Sequence, residues 1–343
     1  MSANPKISRQ YLEYQADRIE MVLANHQIPA RVEGGAVLPR WLRFNITPGP
    51  TTRISKVRNL AEELALALGA DDVRVDRDGH RLTVEVPRHD STLVSLMPLI
   101  NDLPRLHPYT AVLGLSDAGQ PLLIRLNSPD VTHMLIAGTT GSGKTELLRT
   151  ILASLALGNR QRDLQMVLID PKHRGLAPFA NLPHLALPLI THTPDALDAL
   201  HRLVAEMLRR DAEGRATPRL VVAIDEVVEL LMEGGQPVLD ALIRLAQRGR
   251  EAGIHLIIGA QKPTSQVFGP TLRANFPVRL VGRLPSAQDA LAAAGIGGTG
   301  AEKLLGRGDF LAIASGQVTR FQSAYIDTAE LQQLTHRLRG RAN

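Results

Sequence analysis

The sequence predicts an α/β protein with a mainly parallel central sheet, preceded by a small α+β domain. Three observations carry this. From Val112 onward, apolar segments alternate in a strand–helix–strand–helix pattern, which implies parallel strands covered on both faces. Between Val131 and Leu157, the run GTTGSGKT separates a buried strand from a helix opening at Gly143. Before about residue 105 the pattern differs: two amphipathic helices accompany segments carrying hairpin signals.

The composition bounds the classes open to the chain. It has 343 residues, 44% of them hydrophobic, which is ample for two domains with ordinary cores. No apolar run approaches the roughly 18 residues a membrane helix needs, and the first twenty residues are too polar for a secretory signal. The chain has no cysteine, which excludes disulfides, Cys-ligated zinc and a thiol nucleophile, and suits a cytoplasmic protein. The net charge is +5, and it is unevenly spread. Residues 240–343 hold 13 Lys and Arg against 7 Asp and Glu, while the remainder is balanced. That excess suggests a polyanion contact, with a solvated basic face as the plain alternative. Aromatic residues are only 3% of the chain, so backbone phosphate contact fits a nucleic-acid partner better than base stacking.

In the first domain, residues 1–105, a helix is expected over 8–27, ending before Ile28-Pro29. Short strands follow at 30–32 and 41–46. A second helix is expected over 55–68, with Val57, Leu60, Leu64 and Leu68 on its apolar side. Residues 73–75 and 82–86 flank Asp78-Gly79, a hairpin turn signal. No cluster of acids, histidines or nucleophiles appears, so this reads as an interaction or spacer domain. Pro98, Pro104 and Pro108 mark a linker-like stretch leading into a second domain, residues 106–343. There a hairpin is expected over 112–126, turning at Ala118-Gly119. Strands are expected at 133–137, 164–169, 220–224, 254–260, 278–281 and 310–314.

GTTGSGKT fits G-x-x-x-x-G-K-[ST], the phosphate-binding loop. Glycines let successive backbone N–H groups turn onto phosphates, and the helix N-terminus adds its positive dipole end. The candidate nucleotide cradle is Gly138, Thr139, Thr140, Gly141, Ser142, Gly143, Lys144, Thr145 and Glu146. Lys144 would reach the β- and γ-phosphates, and the Thr145 hydroxyl would ligate Mg²⁺. The strand 219–224 ends in Asp225-Glu226. Asp225 would join the Mg²⁺ shell and Glu226 would polarise the attacking water as general base. ATP and Mg²⁺ are therefore the expected ligands. Gln261, at the end of the strand 254–260, is a candidate sensor of the γ-phosphate, or simply a turn amide. Arg250 is either a helix-end arginine favoured by the dipole or a finger reaching a neighbouring subunit. Asp170 and Lys172 are read as lying at the edge of the site or forming a subunit ion pair. No two histidines stand four apart, and no metal besides Mg²⁺ is expected.

Several stretches together resemble the FtsK/SpoIIIE branch of the HerA-type hexameric DNA translocases. They are IAGTTGSGKTELLRTILASL, LIDPK, VVAIDE, RLAQRGREAGIHLIIGAQKP, LRANFPVRL and GAEKLLGRGDFL. Residues 13–105 more weakly resemble the family's α domain, through NLAEELALALGA and VEVP. The resemblance implies a RecA-like fold and a homohexameric ring with ATP between subunits, moving along double-stranded DNA. Arg250 falls where the family carries its trans-acting arginine finger, and Lys262 and Arg273 match its DNA-tracking positions. The next pore segment, SAQDALAAAG, has no Lys or Arg where relatives are basic. A stand-alone motor without the family's membrane region or sequence-reading domain is expected, tethered through a partner. The alternatives are the ATPase of a secretion or conjugation machine, and an ATPase subunit that activates a partner nuclease.

Overall fold

The computed structural model describes residues 7–49, 52–78, 81–88, 93–261 and 271–342. The chain forms two compact units, Met1–Leu93 and Val94–Asn343.

In the first unit, helix α1 (Arg9–Asn25) starts where the Ser8 side chain accepts the Tyr11 N–H. It buries Ile19, Val22 and Leu23. Strands β1 (Ala30–Val37), β2 (Trp41–Pro48), β3 (Arg74–Asp78) and β4 (Arg81–Pro87) form an antiparallel sheet in the order β1-β2-β4-β3. Asp78 faces Arg81 across the hairpin, as the turn signal implied, although Gly79 itself lies outside the described residues. The single helix expected over 55–68 is two pieces, α2 (Ile54–Arg58) and α3 (Ala61–Leu68). The break falls at Asn59, a residue type whose side chain competes for backbone groups and favours helix ends.

The second unit is a mixed sheet covered on both faces. Its order is β7 (Pro121–Arg125), β6 (Thr110–Ser116), β14 (Gln317–Tyr325), β13 (Asp309–Ala314), β12 (Val278–Val281), β8 (Met134–Ala137), β11 (Ile254–Ala260), β10 (Arg219–Ile224) and β9 (Leu164–Ile169). The run from β12 to β9 is parallel, and the other edge is antiparallel. Alternate residues of the parallel strands face opposite cores. Ile136, Leu168 and Ala223 join the core under α5 (Lys144–Gly158), while Leu135, Ile169 and Ile224 join that under α6 (Thr193–Glu213) and α7 (Val227–Arg248). Burial on both faces is why these strands read as continuous apolar runs.

Two expectations change here. The boundary between units lies at Leu93 rather than near residue 105. Strand β5 (Val94–Ser95) pairs with β14, and Leu96 and Leu99 of α4 (Leu96–Asp102) are buried in the second unit's core. Pro98 marks no linker, because it sits in the first turn of α4, where its missing N–H costs nothing. The second change is β14 itself, which the sequence did not disclose. Its segment QVTRFQSAY alternates too weakly to stand out.

Candidate functional site

The site forms at the carboxyl ends of β8 and β10. The chain leaves β8 through Gly138, and Gly141 and Gly143 take positive φ values of 81° and 98°, which lets the loop turn into α5 with Gly143 as its N-cap. Lys144, buried at the head of α5, bonds the Asp225 main-chain carbonyl and lies 3.2 Å from Asp225 Oδ1 and 3.7 Å from Glu226 Oε2. The Thr145 hydroxyl donates to Asp225 Oδ1 at 2.9 Å. Sequence reasoning joined these four residues across two motifs, and the fold brings them into contact.

Glu226 is only 4% exposed. Its Oε1 accepts the Gln261 backbone N–H at 3.2 Å, and its Oε2 has no hydrogen-bond partner. Burial pushes its carboxyl above the usual carboxylate range, opposed chiefly by the Lys144 ammonium. Such a carboxylate is a stronger base than an exposed one. Gln261 therefore touches the site through its main chain, and β11 aims that N–H at the acid.

A loop between β9 and α6 closes the other side. Asp170 accepts the Leu176 N–H at 2.8 Å, and Lys172 pairs with Glu229 of α7 at 3.1 Å, so Asp170 and Lys172 serve separate contacts. Gly175 packs directly on the acid: a Cβ there would stand 2.3 Å from Asp225 Oδ2. Arg149, one turn beyond Thr145 on α5, holds the loop by donating to the carbonyls of Gly175 at 2.6 Å and Arg174 at 3.1 Å. Sequence reasoning missed Arg149, Gly175 and Glu229. For Arg149 a signal existed, since four residues after Thr145 it shares that residue's helix face.

The Thr145 hydroxyl and Asp225 carboxylate are neighbouring oxygen donors beside an orphaned buried oxygen of Glu226. This set fits a hard divalent cation such as Mg²⁺. Among the described residues, no group of three or more His, Asp or Glu could hold another metal. A cleft of about 440 Å³ opens beside the phosphate loop, lined in part by Thr139, Thr140, Arg283, Glu302 and Arg307.

The remaining predicted residues lie elsewhere. Arg250 is exposed in the turn before β11, at the amino end of that strand and so opposite the Lys144 site. Arg273 is half-buried, its Nε without a hydrogen-bond partner. Lys262 lies outside the described residues. The segment SAQDALAAAG is a helix, Ala287–Ala294, whose N-terminus is capped by Ser286. Arg279 donates to the Ala293 carbonyl near its C-terminal end. His133 and His255 are buried and engaged with main chain rather than poised as ligands.

The FtsK/SpoIIIE family matches residues 105–216 and 210–265, and the FtsK alpha domain matches residues 1–88. The DNA translocase FtsK of Staphylococcus epidermidis is 31% identical over 361 residues, covering 96% of this chain and 45% of the relative. The DNA translocase SftA of Bacillus subtilis is 34% identical over 358 residues, covering 96% of this chain and 37% of the relative. The chain thus spans less than half the length of these relatives. Among solved structures, the pCW3 conjugation coupling protein TcpA, in its monomer form with ATPγS, superposes with a TM-score of 0.64 at 19% identity. It covers 96% of this chain and 100% of that one. The cytoplasmic domain of the type VII secretion ATPase EccC of Thermomonospora curvata gives 0.61 at 24% identity, covering 72% of this chain and 34% of that one. Both share the fold of a P-loop ATPase motor. The chain belongs to the FtsK/SpoIIIE family and carries that family's alpha domain ahead of the motor fold.

Proposed function

We propose that this chain is the motor of an ATP-driven double-stranded DNA translocase, a homohexameric ring that hydrolyses ATP where subunits meet. The observation that carries the reading is the convergence of Lys144, Thr145, Asp225 and Glu226 at the ends of β8 and β10. Before nucleotide binds, Lys144 is held by the two carboxylates, and phosphates would draw it across to their own charge. Thr145 and Asp225 would hold Mg²⁺, whose chemistry is to neutralise the charge building on the phosphates. Glu226, raised by burial and fixed by the Gln261 N–H, would take the proton of the attacking water.

The interface reading rests on Arg250. Strand β11 has seven residues, or about 23 Å at the usual rise, and Arg250 lies beyond its amino end while Glu226 lies beside its carboxyl end. An exposed arginine so far from its own site is suited to a neighbour's. DNA as substrate rests on the translocase relatives, the basic C-terminal third, and Lys262 and Arg273 as backbone contacts. The cytoplasm is the setting this reading requires. Among the described residues, no helix is long and apolar enough to cross a membrane.

The test is ATPase activity with and without duplex DNA, beside a native mass measurement. Duplex should stimulate turnover, with steep loss on adding salt. Arg250→Ala should bind ATP normally yet fall by about a thousandfold in turnover as an assembled ring. Turnover indifferent to duplex would favour a protein-moving motor or a partner-activating ATPase, and normal hydrolysis by an Arg250→Ala ring would remove the shared site.

A further inference from the structure

We propose that the turn Leu305–Asp309 is a strut that holds the phosphate loop in its binding conformation, anchored by the ion pair of buried Asp309 with half-buried Arg320 as positioning residues. The inference rests on the ATPase reading above and deepens it. The contact is main chain to main chain. Arg307 N–H donates to the Gly141 carbonyl at 2.8 Å, and Gly308 N–H donates to the Ser142 carbonyl at 2.7 Å. The two backbones are so close that a Cβ at Gly143 would stand 2.8 Å from Gly308 N.

Peptide planarity gives those bonds a consequence. In a trans peptide, C=O and the following N–H point in opposite directions. Drawing the Gly141 carbonyl onto the turn sends the Ser142 N–H the other way, where it closes onto the Thr139 carbonyl at 3.0 Å. Drawing the Ser142 carbonyl onto the turn likewise sends the Gly143 N–H away from it, at the N-cap of α5, where an anion is held. The front of the loop is fixed from a second side, because Thr139 N–H and Oγ1 both donate to the Arg283 carbonyl, at 3.0 and 3.1 Å. Inside the loop, the Ser142 hydroxyl is buried with no hydrogen-bond partner.

The turn can exert this hold because it is itself fixed. Gly308 has φ +92°, and a Cβ there would stand 2.5 Å from Ser323 Oγ. Ser323 N–H donates back to the Gly308 carbonyl at 2.7 Å, seating the turn on β14. Asp309, 2% exposed, accepts the Leu305 N–H at 3.0 Å and both Nε and Nη2 of Arg320 at 2.9 Å. This bidentate fork fixes the carboxylate in angle as well as distance. A glycine-rich loop left free would have to be ordered by its ligand at each binding event. A loop already ordered by the protein binds more tightly, because that ordering has been done on folding.

Two variants test the strut. Asp309→Asn/Arg320→Gln removes both charges with little change of shape, and Arg320→Lys keeps the charge but loses the fork. Each is followed by thermal unfolding, by titration with a fluorescent ATP analogue, and by ATPase kinetics. The double variant should fold, bind nucleotide about tenfold more weakly, and keep kcat at saturating ATP within about twofold, because only loop order is lost. Arg320→Lys should show the same KM effect at a smaller size. A lowered melting temperature with unchanged nucleotide affinity, in either folded variant, overturns the strut and leaves a structural ion pair. If the double variant does not fold, Arg320→Lys decides by the same criterion. Failure of the wild-type chain to bind nucleotide would instead overturn the ATPase reading, so the two failures are told apart.

Discussion

Glu226 is buried with one carboxylate oxygen unsatisfied, a costly state that a site tolerates when the group has chemistry to perform. Its raised carboxyl gives a prediction with a definite sign. The folded chain binds this proton more tightly than the unfolded chain, so the group's contribution to stability falls as pH rises through the interval between the two values. Glu226→Gln should therefore unfold at a higher temperature than wild type, by a margin that widens as pH rises above the ordinary carboxyl value and levels off once the folded chain has lost the proton, while turnover falls by about a hundredfold or more and ATP still binds. Melting curves at several pH values and single-turnover hydrolysis check both halves. The histidines at the other end of the strands behave oppositely. Burial, and then the neighbouring His255, lower His133 to about 3. Burial likewise lowers His255 to about 4, helped by Arg219, whose guanidinium lies 3.0 Å from Nε2, and by Arg250. His133 accepts the Leu256 N–H at Nδ1, and its Nε2 lies 3.0 Å from the Ala246 carbonyl. His255 Nδ1 lies 2.9 Å from the Thr132 carbonyl. The unfolded chain protonates these rings below about pH 6.5 and the folded chain does not, so each subtracts about 1.4 kcal/mol of stability per pH unit of acidification down to its folded value. The melting temperature should drop between pH 6.5 and pH 5, with His184, also lowered by burial, adding to the fall, and His255→Gln, which keeps a donor and an acceptor, should make that slope shallower.

The segment joining β9 to α6 is the element whose role least follows from its sequence. DPKHRGL carries Asp, Lys, His and Arg, any of which invites a catalytic role, yet it is Gly175 that packs on the Asp225 carboxylate. Gly175→Ala should push the loop or the Asp225 carboxylate aside, since the added Cβ would stand 2.3 Å from Oδ2 and 3.1 Å from Thr145 Cγ2. The expected outcome is a several-fold rise in the Mg²⁺ concentration for half-maximal turnover with little change in melting temperature, read from a metal titration of the ATPase. Unchanged metal dependence would mean the loop gives way without cost. Elements in which pattern and burial coincide were legible: β9, β11 and β12 span the predicted residues, because strands buried on both faces are written as apolar runs. Strand β14 was not. Its Arg320 is half-buried against Asp309, and no property of Arg320 alone announces that pairing.

For the whole molecule, the first unit has a core of its own built around Ile19, Leu42, Ile46 and Leu64, and the second is closed by its own cores. The Leu93 boundary has a direct test. A fragment of residues 94–343 should melt cooperatively, whereas one of residues 106–343 loses the buried Val94, Leu96 and Leu99. At about 2 kcal/mol or more apiece, that loss is comparable with a whole domain's stability, so the shorter fragment should show no cooperative transition. Circular dichroism melts of the two fragments decide it. The α/β class, the phosphate loop, the acidic strand end and the family are all legible in the linear chain, because each is written in contiguous residues whose spacing the backbone enforces. Folding alone brings Arg149 onto the Arg174-Gly175 turn, the Gln261 N–H onto Glu226, and Leu305–Asp309 against GTTGSGKT. Those contacts join residues far apart in the chain, and a hydrogen bond between them depends on position in space, which local pattern does not encode. The loop that opens α5 was thus legible as a phosphate binder from its glycines, whereas what keeps it in shape came from a turn at the far end of the chain.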